Sequence, residues 1–208
     1  NTFYPELKQK MEAKGFTNVN WEIINTQESD QDPKIMLMYY PNVIESVGYI
    51  QPKVQIEIGC RSLREPLKIV EFNTLIDEYY PQASFAMPAI KVPTVIPERT
   101  FLEKIMLLHE EFSKPTQTIR VERLSRHLYD VFQLSKTEIK QNALNNTELY
   151  ETIVKHRYNF TRISKVDYNL HQPQTINPIP PTEVIKAWEA DYNTMLSEMI
   201  YGDAPTFE

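Results

Sequence analysis

Apolar residues along the chain change their spacing partway through, and that change divides the sequence into two kinds of structure. From Pro5 to Lys14, Leu7 and Met11 sit at helical spacing, and Gly15 supplies a left-handed stop, so a short amphipathic helix is expected there. Val19 to Asn25 is rich in β-branched and aromatic residues and reads as a strand. The polar stretch Thr26 to Pro33 then turns the chain into the apolar run Ile35 to Tyr40, which predicts a hairpin. After a second turn between Pro41 and Pro52, Lys53 to Gly59 alternates strictly. Val54, Ile56 and Ile58 fall on one expected buried face, with Gln55 and Glu57 on the other.

Pro81 to Pro97 holds four prolines and alternates around Ile90 to Ile96, the pattern of an edge strand or linker, and the domain boundary is placed there. Beyond it the period becomes helical. Leu102, Ile105, His109 and Phe112 form one stripe, and Leu124, Leu128, Val131 and Phe132 form the next. Thr147 to Phe160 and Thr182 to Ile200 are two further helices, the last with Thr182 as N-cap and Val184, Trp188, Met195 and Met199 inward. His171 to Pro181 is an extended connector. The expected class is α+β, with an α/β part over residues 1–97 and a mainly helical domain over 98–208.

Composition narrows the chemistry. The four glycines, Gly15, Gly48, Gly59 and Gly202, are too scattered to write a P-loop or a dinucleotide fingerprint. Cys60 is the only cysteine, so no intrachain disulfide, zinc pair or redox couple is available, which suits a cytoplasmic protein, and a small buried hydrophobe is the expected role. A net charge of -6 confines any nucleic-acid contact to a local basic cleft. No apolar run approaches the roughly 18 residues of a membrane span.

Several residues qualify as chemistry. Glu57 stands on a strand opposite an apolar face, where a rigidly held carboxylate suits a metal, although a solvent-facing glutamate is the common case on such a strand. Asp30-Gln-Asp32 lies in a polar turn and reads as a solvated hairpin tip. In Arg120 to Asp130, the residues Arg123, His127 and Asp130 recur at i, i+4 and i+7, which places base, imidazole and carboxylate on one helix face. A solvated face with helical ion pairs, Arg126 with Asp130 among them, is the plain alternative. The 12 tyrosines form no stacking platform along the sequence, His109 reads as half-buried, and His156 with Arg157 reads as surface.

Separated segments then carry a family resemblance. They are Tyr49-Ile-Gln-Pro-Lys-Val-Gln-Ile-Glu-Ile-Gly-Cys-Arg-Ser62, Ile96-Pro-Glu-Arg-Thr-Phe-Leu-Glu-Lys104 with Leu108-His109, Arg126-His-Leu-Tyr-Asp130, and Trp188-Glu-Ala-Asp-Tyr192 with Met199-Ile-Tyr-Gly202. In order and spacing this set resembles the abortive-infection nucleotidyltransferase toxins of the AbiEii/AbiGii type. Members of that family carry upstream a Gly-Gly-Thr-Ser/Ala-Leu segment and a Ser-Glu-Asp-Ile-Asp segment that supplies two metal carboxylates. Neither stands in this sequence, so the resemblance implies a chain without its N-terminal portion and no catalysis by this chain alone.

The resemblance implies a bacterial toxin that transfers a nucleotide from a nucleoside triphosphate to RNA, with tRNA acceptor ends foremost, or to protein. It implies Mg²⁺ or Mn²⁺ as cofactor, a genetically paired antitoxin as partner and a cytoplasmic setting. Glu57 would be the strand metal ligand, and Lys104 would neutralise triphosphate charge, oriented by Glu103. Asp130 would be the base or positioning carboxylate, supported by Arg126 and Tyr129. Many members have Arg-Asp where this chain has Arg126-His127, so His127 has no inherited role. The rival reading is a non-catalytic member or fragment that binds a nucleotide or partner in the same cleft.

Overall fold

A computed structural model describes residues 3–24, 35–45, 51–57, 63 and 65–208. The chain forms two compact units, Asn1–Ser62 and Leu63–Glu208. Cys60, Asp30, Asp32, Gly48, Gly59, Ile58 and the turn after β1 lie outside the described residues, and with them the readings placed on them.

In the first unit, helix α1 (Phe3–Ala13) ends as its sequence predicts. Gly15, at φ +96°, lets its own N–H reach the Glu12 carbonyl at 3.0 Å and the Phe16 N–H reach the Met11 carbonyl at 3.2 Å. These are the paired bonds that close a helix through a left-handed residue. Strands β1 (Asn20–Ile24), β2 (Ile35–Tyr39) and β3 (Lys53–Glu57) make an antiparallel sheet in the order β1-β2-β3. Its register sets Met36 against Ile56 and Ile23, and Met38 against Val54 and Trp21, so one face is apolar.

Central strand β2 is covered on both faces, with Met36, Leu37 and Met38 all buried. The outer strands differ: Val54 is exposed and Ile56 half-buried, and among the described residues β3 is an edge strand paired on one side only. The fully buried β3 face expected from alternation is therefore corrected at Val54.

The second unit begins with an antiparallel ribbon of β4 (Leu67–Phe72) and β5 (Ile90–Val95). Pro93 pairs with Ile69 and is tolerated because a two-stranded ribbon has an unpaired outer edge on each strand. Short helix α2 (Leu75–Tyr79) lies in the connection, capped by Thr74, whose hydroxyl accepts from the Asp77 N–H. Neither β4 nor α2 is evident in the hydrophobic spacing.

Helix α3 (Pro97–Phe112) starts with proline at its first turn and gathers the later helices around it. Phe101, Leu102 and Met106 pack with Ala143 of α5 (Glu138–Asn145) and with Leu149 and Ile153 of α6 (Thr147–Phe160). Leu108 packs with Leu124, which precedes α4 (Ser125–Ser135), and with Trp188 of α7 (Ile185–Met199). Phe112 meets the Trp188 indole edge-on at 4.7 Å. Each such fully buried apolar side chain contributes about 1.5–3 kcal/mol.

With cores on two sides, α3 buries more than the single expected stripe. Its polar residues Arg99, His109, Glu110 and Glu111 are buried too, so each needs a partner. Helix α7 starts at Ile185 behind Val184, which gives no side-chain cap, so Thr182 is not the N-cap. Its inner face uses Trp188, Tyr192 and Met195, whereas Met199 is exposed.

Candidate active site

The second unit brings three of the singled-out residues together. Lys104 projects from α3 between the buried positions Phe101 and Met106, and its Nζ donates to Asp130 Oδ2 at 2.6 Å and to His127 Nδ1 at 3.1 Å. His127 and Asp130 sit three apart on α4, which puts both on the face turned to α3.

Lysine has only donors, so His127 Nδ1 is the acceptor and the ring proton resides on Nε2. Burial first, and then the Lys104 and Arg126 charges, lower the His127 pKa to about 4, which keeps the imidazole neutral at pH 7. A neutral ring and a carboxylate thus hold one ammonium, with one N–H left over. The pair is half-open: the Lys104 side chain is 22% exposed and that of Asp130 is 40%. Such an ammonium can take up a phosphate oxygen, and such a carboxylate can hold a hydroxyl.

The start of α4 is tied to α7. The Asp191 carboxylate accepts from the Arg123 N–H at 2.7 Å and the Ser125 N–H at 3.0 Å, and also from the Ser125 hydroxyl. Leu124 at the cap position has no side-chain acceptor, so the donors at the start of α4 would otherwise lack one. Asp191 falls in a segment that carried the resemblance, yet no pattern along the chain joins residues 66 apart. The one local signal is a leucine where a capping residue belongs.

Other expected residues go elsewhere. Arg123 adopts φ 61° and precedes α4, so it leaves the helical face on which its spacing put it. Asp130 pairs with Lys104 rather than Arg126, which is exposed. Tyr129 is half-buried, and neither it nor Arg126 hydrogen-bonds to Lys104 or Asp130 among the described residues. Glu103 takes the Arg99 guanidinium at 3.0 Å, so orientation of Lys104 passes to Asp130 and His127. Glu57 is exposed in the first unit and accepts from the Gln55 amide. Among the described residues no three histidine, cysteine, aspartate or glutamate side chains group so as to hold a metal ion.

A second ionic group on α3 is closed. Glu110 accepts from Arg157 Nε at 2.7 Å and from Arg157 Nη2, and from His171 Nε2 at 3.2 Å. Burial pushes its pKa up, but the bonds from Arg157 and His171 outweigh this and leave it lowered, so it is a carboxylate. Arg157 is thus a buried partner and not a surface residue. His156 instead stacks on Phe160 at 4.8 Å. His109 is buried rather than half-buried, accepts from the Asn177 N–H at 3.0 Å, and meets His171 edge-on at 5.0 Å. Burial and the neighbouring His171 lower its pKa.

Among the described residues no helix is long and apolar enough to cross a membrane. No curated protein and no solved structure matches the chain. The family model for the nucleotidyl transferase AbiEii toxin, type IV toxin-antitoxin system, matches residues 5–208. That span takes in α3, α4 and α7, and the chain belongs to the AbiEii nucleotidyl transferase toxin family.

Proposed function

We propose that this chain serves nucleotidyl transfer from a nucleoside triphosphate to an RNA acceptor, with the ends of tRNA as the first substrates to test and protein as the other acceptor. The observation that carries the reading is the Lys104 ammonium held by Asp130 and His127 within the segments the family match spans. In the reaction an acceptor hydroxyl attacks the α-phosphorus, the bond to the bridging oxygen breaks, and pyrophosphate leaves. Lys104 offers its free N–H and its charge to the triphosphate, and the exposed side of Asp130 positions the hydroxyl and takes its proton. Arg126 and Tyr129 lie beside Asp130 on α4 as its supports, and Glu103 fixes Arg99 in the preceding turn.

Metal dependence on Mg²⁺ or Mn²⁺, with Glu57 as a ligand, belongs to the same proposal. Among the described residues no three such side chains group around that carboxylate, so no step is assigned to the ion. In this reading residues 1–97 are the remainder of the transferase domain and 98–208 the helical domain. The family also implies an antitoxin as genetic partner.

A binding-only member is the second reading. It is favoured by the same lack of a carboxylate group among the described residues.

One experiment separates the two. The chain, alone and extended by its upstream reading frame, is incubated with Mg²⁺, total RNA and each α-labelled nucleoside triphosphate. Label in RNA, lost on Lys104→Ala, Asp130→Asn and Glu57→Ala, supports transfer. Saturable triphosphate binding without label in RNA or protein supports the binding reading.

A further inference from the structure

Away from Lys104 and Asp130, the second unit holds a cavity of about 870 Å³ between α6 and the segment 162–174. Its size falls within the roughly 300–1,000 Å³ usual for small-molecule sites. Tyr150, Val154 and Tyr158 recur at four-residue steps with Lys155 beside them, so one face of α6 forms a wall.

The opposite wall is aromatic and anchored. Tyr168 stacks on His171 at 4.5 Å and meets Tyr158 edge-on at 6.0 Å. His171 is wholly buried and bound to Glu110, so this platform is fixed to the interior. The Tyr168 hydroxyl accepts from the Ile163 N–H at 3.0 Å and so pins the loop that carries the cations.

Those cations are Lys155, Arg162 and Lys165, and none of them forms an ion pair among the described residues. The Arg162 guanidinium lies 5.9 Å from the centre of the Tyr158 ring. Of the two carboxylates in the lining, Asp167 is already engaged by the Asn169 N–H at 2.9 Å and the Asn169 amide. Arg162 at φ 38° and Lys165 at φ 68° both hold a left-handed backbone that side-chain-bearing residues seldom adopt. Two buried polar atoms of the lining residues, the Tyr150 hydroxyl and His171 Nδ1, have no hydrogen-bond partner among the described residues, which is uncommon in a folded interior.

A ligand that answers the tyrosine wall and the three cations combines a flat ring with an anionic group. We propose that this cavity binds a nucleoside phosphate, with its base against Tyr158 and Tyr168 and its phosphate on Lys155, Arg162 and Lys165. Stacking on an aromatic side chain is worth about 1–3 kcal/mol per base. A bare phosphate would leave the tyrosine wall uncovered, and an apolar ligand would bury unpaired cations. The nucleotide is either free or part of an RNA strand, and the site does not depend on Lys104 acting in transfer.

The test is titration of the intact chain with each nucleoside monophosphate, with inorganic phosphate, and with a labelled single-stranded RNA oligonucleotide. Each probe is also titrated against the Lys104→Ala, Arg162→Gln/Lys165→Gln and Tyr158→Ala variants, whose folding is checked by circular dichroism. The expected result is binding of a monophosphate or the oligonucleotide that weakens at least about tenfold in both cavity variants and persists in Lys104→Ala. Binding of the monophosphate identifies a free ligand, and binding of the oligonucleotide alone identifies an RNA strand. The proposal is overturned if neither binds at millimolar concentration, if inorganic phosphate competes as well as the nucleotide, or if only Lys104→Ala abolishes binding.

Discussion

Two of the cation–carboxylate groups on helix α3, at Lys104 and Glu110, lie six residues apart, about 9 Å along its axis, and they differ in what surrounds them. Around Glu110 the partners Arg157 and His171 are all but closed off, with side chains 14% and 0% exposed. Around Lys104 the partner Asp130 is 40% exposed. The same pairing chemistry therefore has two uses. Where water is excluded, neither charge can be released without leaving the other stranded, and the group holds helices together. Where water enters, the pair is weak enough to exchange a partner for a ligand.

The largest effect is expected on the closed side. Glu110→Gln leaves Arg157 buried without its countercharge and should cost about 3–5 kcal/mol, read as a fall in the urea midpoint. A loss below about 1 kcal/mol would erase the contrast. Next is Asp191→Asn, which weakens the acceptor for the first turn of α4. A cost of about 1–2 kcal/mol is expected, with faster hydrogen exchange at the Ser125 amide and unchanged exchange in α6.

A smaller effect comes from protons. His127 has a folded pKa of about 4 against an ordinary 6.5, so between those values the unfolded chain binds a proton that the folded chain does not. Its contribution is complete above about pH 6.5 and is lost as pH falls towards 4. After discount for solvent it is on the order of 1 kcal/mol. His109, also lowered by burial and by His171, adds loss as pH falls below its ordinary range. His127→Gln should flatten part of the decline in denaturant midpoint between pH 6.5 and 4, and an unchanged slope would exclude His127.

The smallest stability change is expected at the open pair. Lys104→Ala should cost less than about 1 kcal/mol in the urea midpoint while reducing transfer of labelled nucleotide at least about tenfold. Equal, large losses in both would make Lys104 a structural residue.

Elements with strong local signals are legible in the sequence. Helix α6 spans Thr147–Phe160 as its period implies, because Asn146 caps it with a side chain that accepts from the Leu149 N–H. Helix α5 is not legible, since in eight residues only Ile139 and Ala143 mark its inner side well enough to pack, too few to show a period. At the candidate site, the i, i+3 step from His127 to Asp130 is readable, but their meeting with Lys104 joins positions 23 apart. Arg157 escapes the sequence reading for the same reason, because Glu110 lies 47 residues away. Spacing reports which residues share a face, and it is silent on what that face meets.

The clamp from Asp191 also sets an order in time. Helix α4 is translated 66 residues before the carboxylate that closes its first turn. At the usual 5–20 residues per second, that is a wait of roughly 3–13 seconds. During it, a growing chain already has Lys104, His127 and Asp130, while the start of α4 still lacks its acceptor from α7. A ribosome that stalls before α7 leaves a chain that carries all three residues and an unclamped start of α4.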